Sequence, residues 1–204
     1  MPSLKFLRGM VVGLFLISAC AAAAIDDPGH MVRATADRVL AEVTERKVEL
    51  EADASLIYPL VKSTVLPHFD FHEMAQSALG RFWRQANEAQ REQVTNEFRE
   101  LLVRTYASAL LGYTGQKIEY LPIQAPAGQD RVTVPTRMSA ANAPSIPINY
   151  RLRLNGDHWL VYDVVIDGVS LITNYRSQFA AEVRRGGIDG LISSLAGKNQ
   201  RAGK

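Results

Sequence analysis

The chain has a single cysteine, Cys20, in 204 residues, so no disulfide can form within it. Net charge is almost absent, with 23 Lys+Arg against 21 Asp+Glu. There is no glycine-rich phosphate loop, no G-x-S-x-G elbow, no zincin helix motif and no internal repeat. These absences exclude a disulfide-stapled scaffold, a P-loop nucleotide enzyme, a serine hydrolase of the elbow type and a repeat array. The weak net charge also excludes a basic footprint for nucleic acid or anionic membrane.

What is present begins with an address. Lys5 and Arg8 precede an apolar run from Met10 to Ile17, and small residues follow from Ser18 to Ala24. This order reads as a secretory signal over residues 1–24, too short to span a bilayer. Ala22-Ala23-Ala24 offers an ordinary A-x-A cut. Ile17-Ser18-Ala19-Cys20 is equally the form of a lipobox, which would acylate Cys20 and make it the first residue. Cutting at 24 removes two bases and no acid, leaving 21 of each sign. About 180 residues remain, enough for one core held by apolar burial.

That remainder, 25–196, reads as one domain: helical over 31–115, sheet over 116–166, helical over 167–196. Residues 197–204 are polar and basic and are expected to form a flexible tail. Val32, Val39, Val43 and Val48 sit among charges, as on a surface helix running to about Leu50. Leu56, Ile57, Leu60, Val61 and Leu66 repeat at helical spacing up to Pro67. Asp70 is placed to cap a short helix that Gly80 stops, and Asn87 with Gln90 has the form of a capping box. The helix that follows carries Val94, Phe98, Leu101, Leu102, Thr105 and Ala109 on one stripe.

After Gln116 the period changes to two, with strands at 117–121, 131–137, 146–154 and 159–166. Asn155-Gly156-Asp157 is a hairpin signal between the last two. Leu171, Ile172, Tyr175, Phe179 and Val183 resume helical spacing, Gly186-Gly187 ends it, and Ile188 to Leu195 reads as a last short helix. Helices, then a meander, then helices argue an α+β fold with a mainly antiparallel sheet of about four strands.

Chemistry-bearing constellations are sparse. His68 and His72 are four apart, but Pro67 and Asp70 put a helix start between them and no second ligand pair exists, so no metal site is expected. Asp163 lies among Val161, Tyr162, Val164 and Val165, where a general base with a raised pKa is one reading. Pairing with Arg151 or Arg153 on the neighbouring strand is the blander one. No catalytic residue and no cofactor are expected. Trp83 and Trp159 are expected in the core or a pocket wall.

Eight stretches carry a resemblance. VLPHFD (65–70), ALGRFW (78–83), EAQREQ (88–93), EFRELL (97–102), YASAL (106–110), WLVYD (159–163), GVSLIT (168–173) and GIDGL (187–191) occur in one order along the chain. In these it resembles the MlaC family, also called the toluene-tolerance Ttg2 family, the substrate-binding component of the bacterial Mla lipid-asymmetry transport system. The resemblance implies a strongly curved sheet, like a nuclear-transport-factor cone, closed by helices around an apolar pocket. It implies a monomeric, soluble periplasmic carrier of phospholipid. Its partners would be an outer-membrane lipoprotein–porin complex and the MCE-domain ring of an inner-membrane ABC transporter. With the resemblance the soluble form is expected, and a Cys20-anchored lipoprotein is the alternative.

Such a carrier needs a shielded interior, because each buried methylene contributes about 0.8 kcal/mol and two long acyl tails would cost on the order of 20 kcal/mol to strand in water. Strand and helix phase then nominate the wall. Val132, Val134, Ile148, Tyr150, Leu152 and Val161 come from the sheet, Leu102 and Tyr106 from the long helix, and Val169, Leu171 and Ile172 from the segment after the last strand. If the headgroup stays in solvent, headgroup selectivity should be weak. Gly168 and the Gly186-Gly187 pair are candidate hinges for release.

Overall fold

The computed structural model describes residues 27–124, 128–140 and 143–201; the signal segment and Cys20 lie outside them. Helix α1 (Pro28–Glu45) opens on an Asp27 cap, whose carboxylate accepts the His30 N–H. The chain then breaks at Arg46 into α2 (Lys47–Ala52), so the single surface helix expected to Leu50 is two, and Val48 is left 82% exposed. Helix α3 (Ile57–Thr64) stops before Pro67, which has no N–H to continue the ladder, and a 3-10 turn follows over Leu66–His68. Helix α4 (Phe71–Leu79) is capped by Asp70 and ends at Gly80, which adopts φ 57°. Both arms of the Asn87/Gln90 capping box form at the start of α5 (Glu88–Tyr106).

The sheet runs β1 (Lys117–Tyr120), β2 (Arg131–Ala140), β3 (Ala143–Asn155), β4 (His158–Ile166) and β5 (Val169–Ser170) in that spatial order, every pair antiparallel. It has one strand more than the sequence suggested. A two-residue β5 is too short to show alternation; the turn at Asp167-Gly168, with φ 50° and 79°, folds it back onto β4. Gly156 at φ 65° makes the β3–β4 hairpin.

Helix α6 (Leu171–Arg201) continues past the point where a flexible tail was expected. Gly186 and Gly187 leave helical backbone, so the helix expected to end there does, and the segment after them runs on beyond Leu195. Asn199 is buried and donates its amide to Glu97 O and Oε2 at 3.0 and 2.7 Å, which holds residues 197–201 against α5 despite their polar composition.

The apolar interior falls into three packed regions. One joins α4, α5 and α6 around Phe98, whose ring meets Tyr175 and Phe179 at 4.9 and 5.0 Å. A second joins α1, α3 and the end of α5. The third lies inside the sheet, where Val134, Leu152, Trp159 and Val161 pack on Val32.

Candidate functional site: an apolar cavity between sheet and helices

Each strand of the sheet turns one face inward. Ile118 pairs with Met138, Thr136 with Ile148, Val134 with Tyr150, and Val132 with Leu152. At one end this face is closed by packing; at the other the helices stand off and leave a cavity of about 430 Å³, within the range of roughly 300–1,000 Å³ that ligand sites occupy. Ile118, Met138, Ile148, Tyr150, Val164 and Ile166 form its sheet wall. Leu102, Val103 and Tyr106 of α5 face them, and Met31, Val32, Thr35, Ala36, Val39 and Leu40 of α1 form a third side.

The lining is almost wholly carbon. Its polar members are few, chiefly Thr35, His68, Gln116 and tyrosine hydroxyls. Thr35 turns its hydroxyl onto Met31 Sδ, and Gln116 Oε1 accepts the Thr114 N–H at 2.9 Å. The surroundings oppose charge. Burial pushes the Tyr150 phenol up to about 12, and burial followed by the neighbouring Tyr106 does the same for Tyr175 behind the wall. Burial and then the positive charge of Arg38 hold His68 below its ordinary value, which favours the neutral imidazole. The space therefore suits hydrocarbon.

Asp163 lies on the outer side of the sheet. A bulge in β4 pairs Arg151 with Asp163 and Leu152 with Val161, leaving Tyr162 as the extra residue. Val161, Val164 and Ile166 then point inward while Asp163 points away. Its carboxylate accepts from Arg151 Nη1 at 3.0 Å, Ser170 Oγ at 2.7 Å and the Ile172 N–H at 3.2 Å. These three donors bind β3, β5 and the start of α6 to β4. The carboxylate is a structural clamp. His68 sits in the cavity wall, whereas His72 stands edge-on to Trp83 at 5.1 Å; among the described residues no group of three metal-ligating side chains converges.

Of the nominated wall residues, the structure brings Leu102, Tyr106, Ile148, Tyr150, Val161 and Leu171 to the cavity. Val132, Val134 and Leu152 face inward as their phase required, but at the packed end, where Trp159 and Val32 fill the space. Ile172 is buried among the helices with Phe98 and Tyr175, because α6 begins at Leu171 and turns its second residue away from the sheet. Val169, in the short edge strand, is 59% exposed. The α1 contribution was missed. Its Val32/Val39/Val43 stripe had the spacing of a buried face, yet the charges around it made the helix look peripheral.

Three comparisons bear on this geometry. Residues 33–197 match the model of the MlaC protein family. The chain is 26% identical to the toluene tolerance protein ttg2D of Pseudomonas putida over 198 residues, 96% of this chain and 91% of that one. It is 23% identical over 188 residues to the intermembrane phospholipid transport system binding protein MlaC of Haemophilus influenzae, covering 91% and 87% of the two. A phospholipid-binding protein from Ralstonia solanacearum, solved in complex with a phospholipid, superposes with a TM-score of 0.81 at 33% identity, over 88% of this chain and all of that one. With most of its length matched by one family model and its fold shared over 88% of the chain with a solved relative, this chain belongs to the MlaC protein family.

Proposed function

We propose that this protein is a periplasmic phospholipid carrier that shelters acyl tails in the cavity while the headgroup remains in water. It takes lipid from or delivers it to an outer-membrane lipoprotein–porin complex at one end of its path. At the other end it meets the MCE-domain ring of an inner-membrane ABC transporter. The observation that carries the reading is the carbon-lined cavity of about 430 Å³ set between sheet and helices. The relatives support it, since one is described as an intermembrane phospholipid transport binding protein and another was solved with a phospholipid.

A hydrolase or isomerase based on Asp163 is disfavoured, because that carboxylate is held by three donors on the far side of the sheet from the cavity. No helix among the described residues is long and apolar enough to cross a membrane. Whether the mature chain starts near Ile25 or at an acylated Cys20 is decided by the mass of its N-terminal peptide.

The deciding experiment is native mass spectrometry of protein purified without detergent. Phospholipid should be carried in near-stoichiometric amount, with acyl chains typical of the host membrane and several headgroup classes. A protein that emerges empty and takes up no lipid from vesicles sinks the carrier reading. Lipid confined to one headgroup class sinks the expectation of weak headgroup selectivity.

A further inference from the structure

Two groups of arginines contrast in this molecule. On the outer face of the sheet, Arg131, Arg137, Arg151 and Arg153 are each paired, with Glu73, Glu119, Asp163 and Asp70 respectively. Where α4 gives way to α5, a 3-10 turn at Gly80–Arg84 gathers four more: Arg81, Arg84, Arg91 and Arg176. Among the described residues none of these four is paired with a carboxylate. Each belongs to residues 77–84 or rests on them. Arg81 stands 4.9 Å from the Phe82 ring, and Arg84 is exposed beside it. Arg91 donates Nε to Trp83 O at 3.1 Å and lies over that ring. Arg176 of α6 donates Nε to Ser77 O at 2.8 Å and passes beside Gly80. No acid occurs from Met74 to Asn87. Of the acids nearby, Glu182 is turned to Arg185 and Asp189 to Gln90, while Glu88 and Glu92 are exposed on α5.

We propose that this end of the molecule is a docking face for an anionic phospholipid bilayer, with the four guanidiniums meeting lipid phosphates at the membrane surface. Near-zero net charge argued against such a footprint, but it counts charges without placing them. The fold neutralises the arginines of the sheet and collects unpaired ones around a single turn. The Nε bonds of Arg91 and Arg176 to backbone carbonyls hold those side chains in place and leave their terminal nitrogens for phosphate oxygens. A bilayer suits the face better than an acidic protein does. Phe82 and Trp83 beneath it are buried, and the exposed large apolar side chains among the described residues, Val48, Ile146 and Val169, lie on α2, β3 and β5. The patch thus lacks the apolar centre around which protein interfaces form. No residue from 75 to 101 lines the apolar cavity, so the face is separate from it. The inference goes beyond the carrier reading, since the contact requires no bound cargo.

The test is flotation of the protein with vesicles of phosphatidylcholine, alone or mixed with phosphatidylglycerol. At low salt the wild type should float with the mixed vesicles and not with the neutral ones, and high salt should release it by screening. The double variant Arg81→Gln/Arg84→Gln changes two exposed residues. It should bind the mixed vesicles about twentyfold more weakly, at about fivefold for each basic residue near an anionic surface. Arg46→Gln/Arg137→Gln removes the same charge from the start of α2 and from the sheet, and should bind as the wild type does. No loss in the Arg81/Arg84 variant, or an equal loss in both variants, overturns the patch. Equal binding to neutral and mixed vesicles overturns the charge contact. A wild type that ignores the mixed vesicles at low salt overturns the bilayer and leaves an acidic protein face as the occupant. Native mass spectra of the Arg81/Arg84 variant should show the lipid cargo of the wild type, and loss of cargo in step with loss of flotation overturns the separation of face from cavity. A wild type that floats but carries no lipid sinks the carrier reading and supports the docking face.

Discussion

Arg153 on β3 reaches the carboxylate of Asp70, the residue that caps α4, across 83 positions of sequence. Asp70 accepts the guanidinium on Oδ2 and the Glu73 N–H on Oδ1 at 2.9 Å, while its own N–H donates to Val161 O at 2.9 Å. One buried aspartate thus ties the start of a helix to two strands. Replacing Asp70 with alanine removes the cap, worth about 1 kcal/mol, and leaves Arg153 without its partner. Because Arg153 is partly exposed, the total loss should be about 2–3 kcal/mol, below that of a fully buried broken pair. Asp70→Asn keeps the cap and should lose roughly half as much. Urea unfolding decides, and an Asp70→Ala variant within about 0.5 kcal/mol of wild type would show that the pair contributes nothing.

Asp163 separates a clamp from a catalyst. Asparagine there retains an acceptor but gives up the charge that Arg151 faces across the strand pair. Asp163→Asn should lower stability by about 2–3 kcal/mol, the cost of weakening a network around a buried charge. Bound lipid, per folded molecule, should be unchanged. Loss of a measurable turnover with stability intact would instead revive the enzyme reading.

The same aspartate shows where local pattern stops being informative. Strict alternation puts Val161, Asp163 and Val165 on one face, and only the bulge at Tyr162, fixed by pairing with β3, sends Asp163 outward. Phase was legible where the ladder is regular: Val132, Val134, Ile148, Tyr150 and Leu152 all face inward. Depth was not. Val134 and Leu152 meet Trp159, whereas Ile148 and Tyr150 meet empty space, and that difference depends on where α1 crosses the sheet. The caps at Asp70 and Asn87 and the Gly156 turn were readable because their chemistry lies within a few residues. The burial of Asn199 was not, because its partner Glu97 is 102 positions away.

Alkaline pH should loosen the protein at the cavity. Tyr150 and Tyr175 keep their protons up to about 12, whereas in the unfolded chain they lose them near 10. Between those values the unfolded state binds fewer protons, so stability falls as pH rises, by on the order of 2 kcal/mol for each group by the upper end. Below pH 10 neither contributes any slope. Phenolate absorbance followed alongside unfolding should show two tyrosines ionising only with the collapse of structure. Smooth ionisation of all seven tyrosines near 10, with structure retained, contradicts the buried placement.

Filling the void should abolish cargo at little cost to the fold. Ala36 on α1 is half-buried and lines the cavity, so tryptophan there projects into space that is already empty. The overpacking penalty of about 1–3 kcal/mol met in a filled core should be largely avoided. Native mass spectra of Ala36→Trp should show lipid occupancy reduced at least severalfold, or restricted to shorter acyl chains, with a melting temperature close to wild type. Unaltered lipid content would place the tails somewhere other than against α1.

The kink in α6 yields a paired prediction, because its two glycines differ in kind. Gly186 has φ −137° and ψ 15°, which any residue tolerates, and a Cβ there meets nothing within 4 Å. Gly187 has φ 69° and ψ −173°, a region essentially reserved for glycine, although a Cβ there also meets open space. Gly186→Ala should therefore be near neutral, whereas Gly187→Ala should cost about 1–3 kcal/mol purely through backbone strain. The kink lets Phe179 and Val183 before it and Leu191 and Leu195 after it reach the same core, so straightening the helix would withdraw one pair or the other. If the kink also flexes during lipid hand-over, Gly187→Ala should slow transfer to acceptor vesicles while leaving lipid binding intact. Equal destabilisation by the two alanines would mean that contacts, and not the conformation of Gly187, set the bend; equal transfer rates for wild type and Gly187→Ala would remove the hinge.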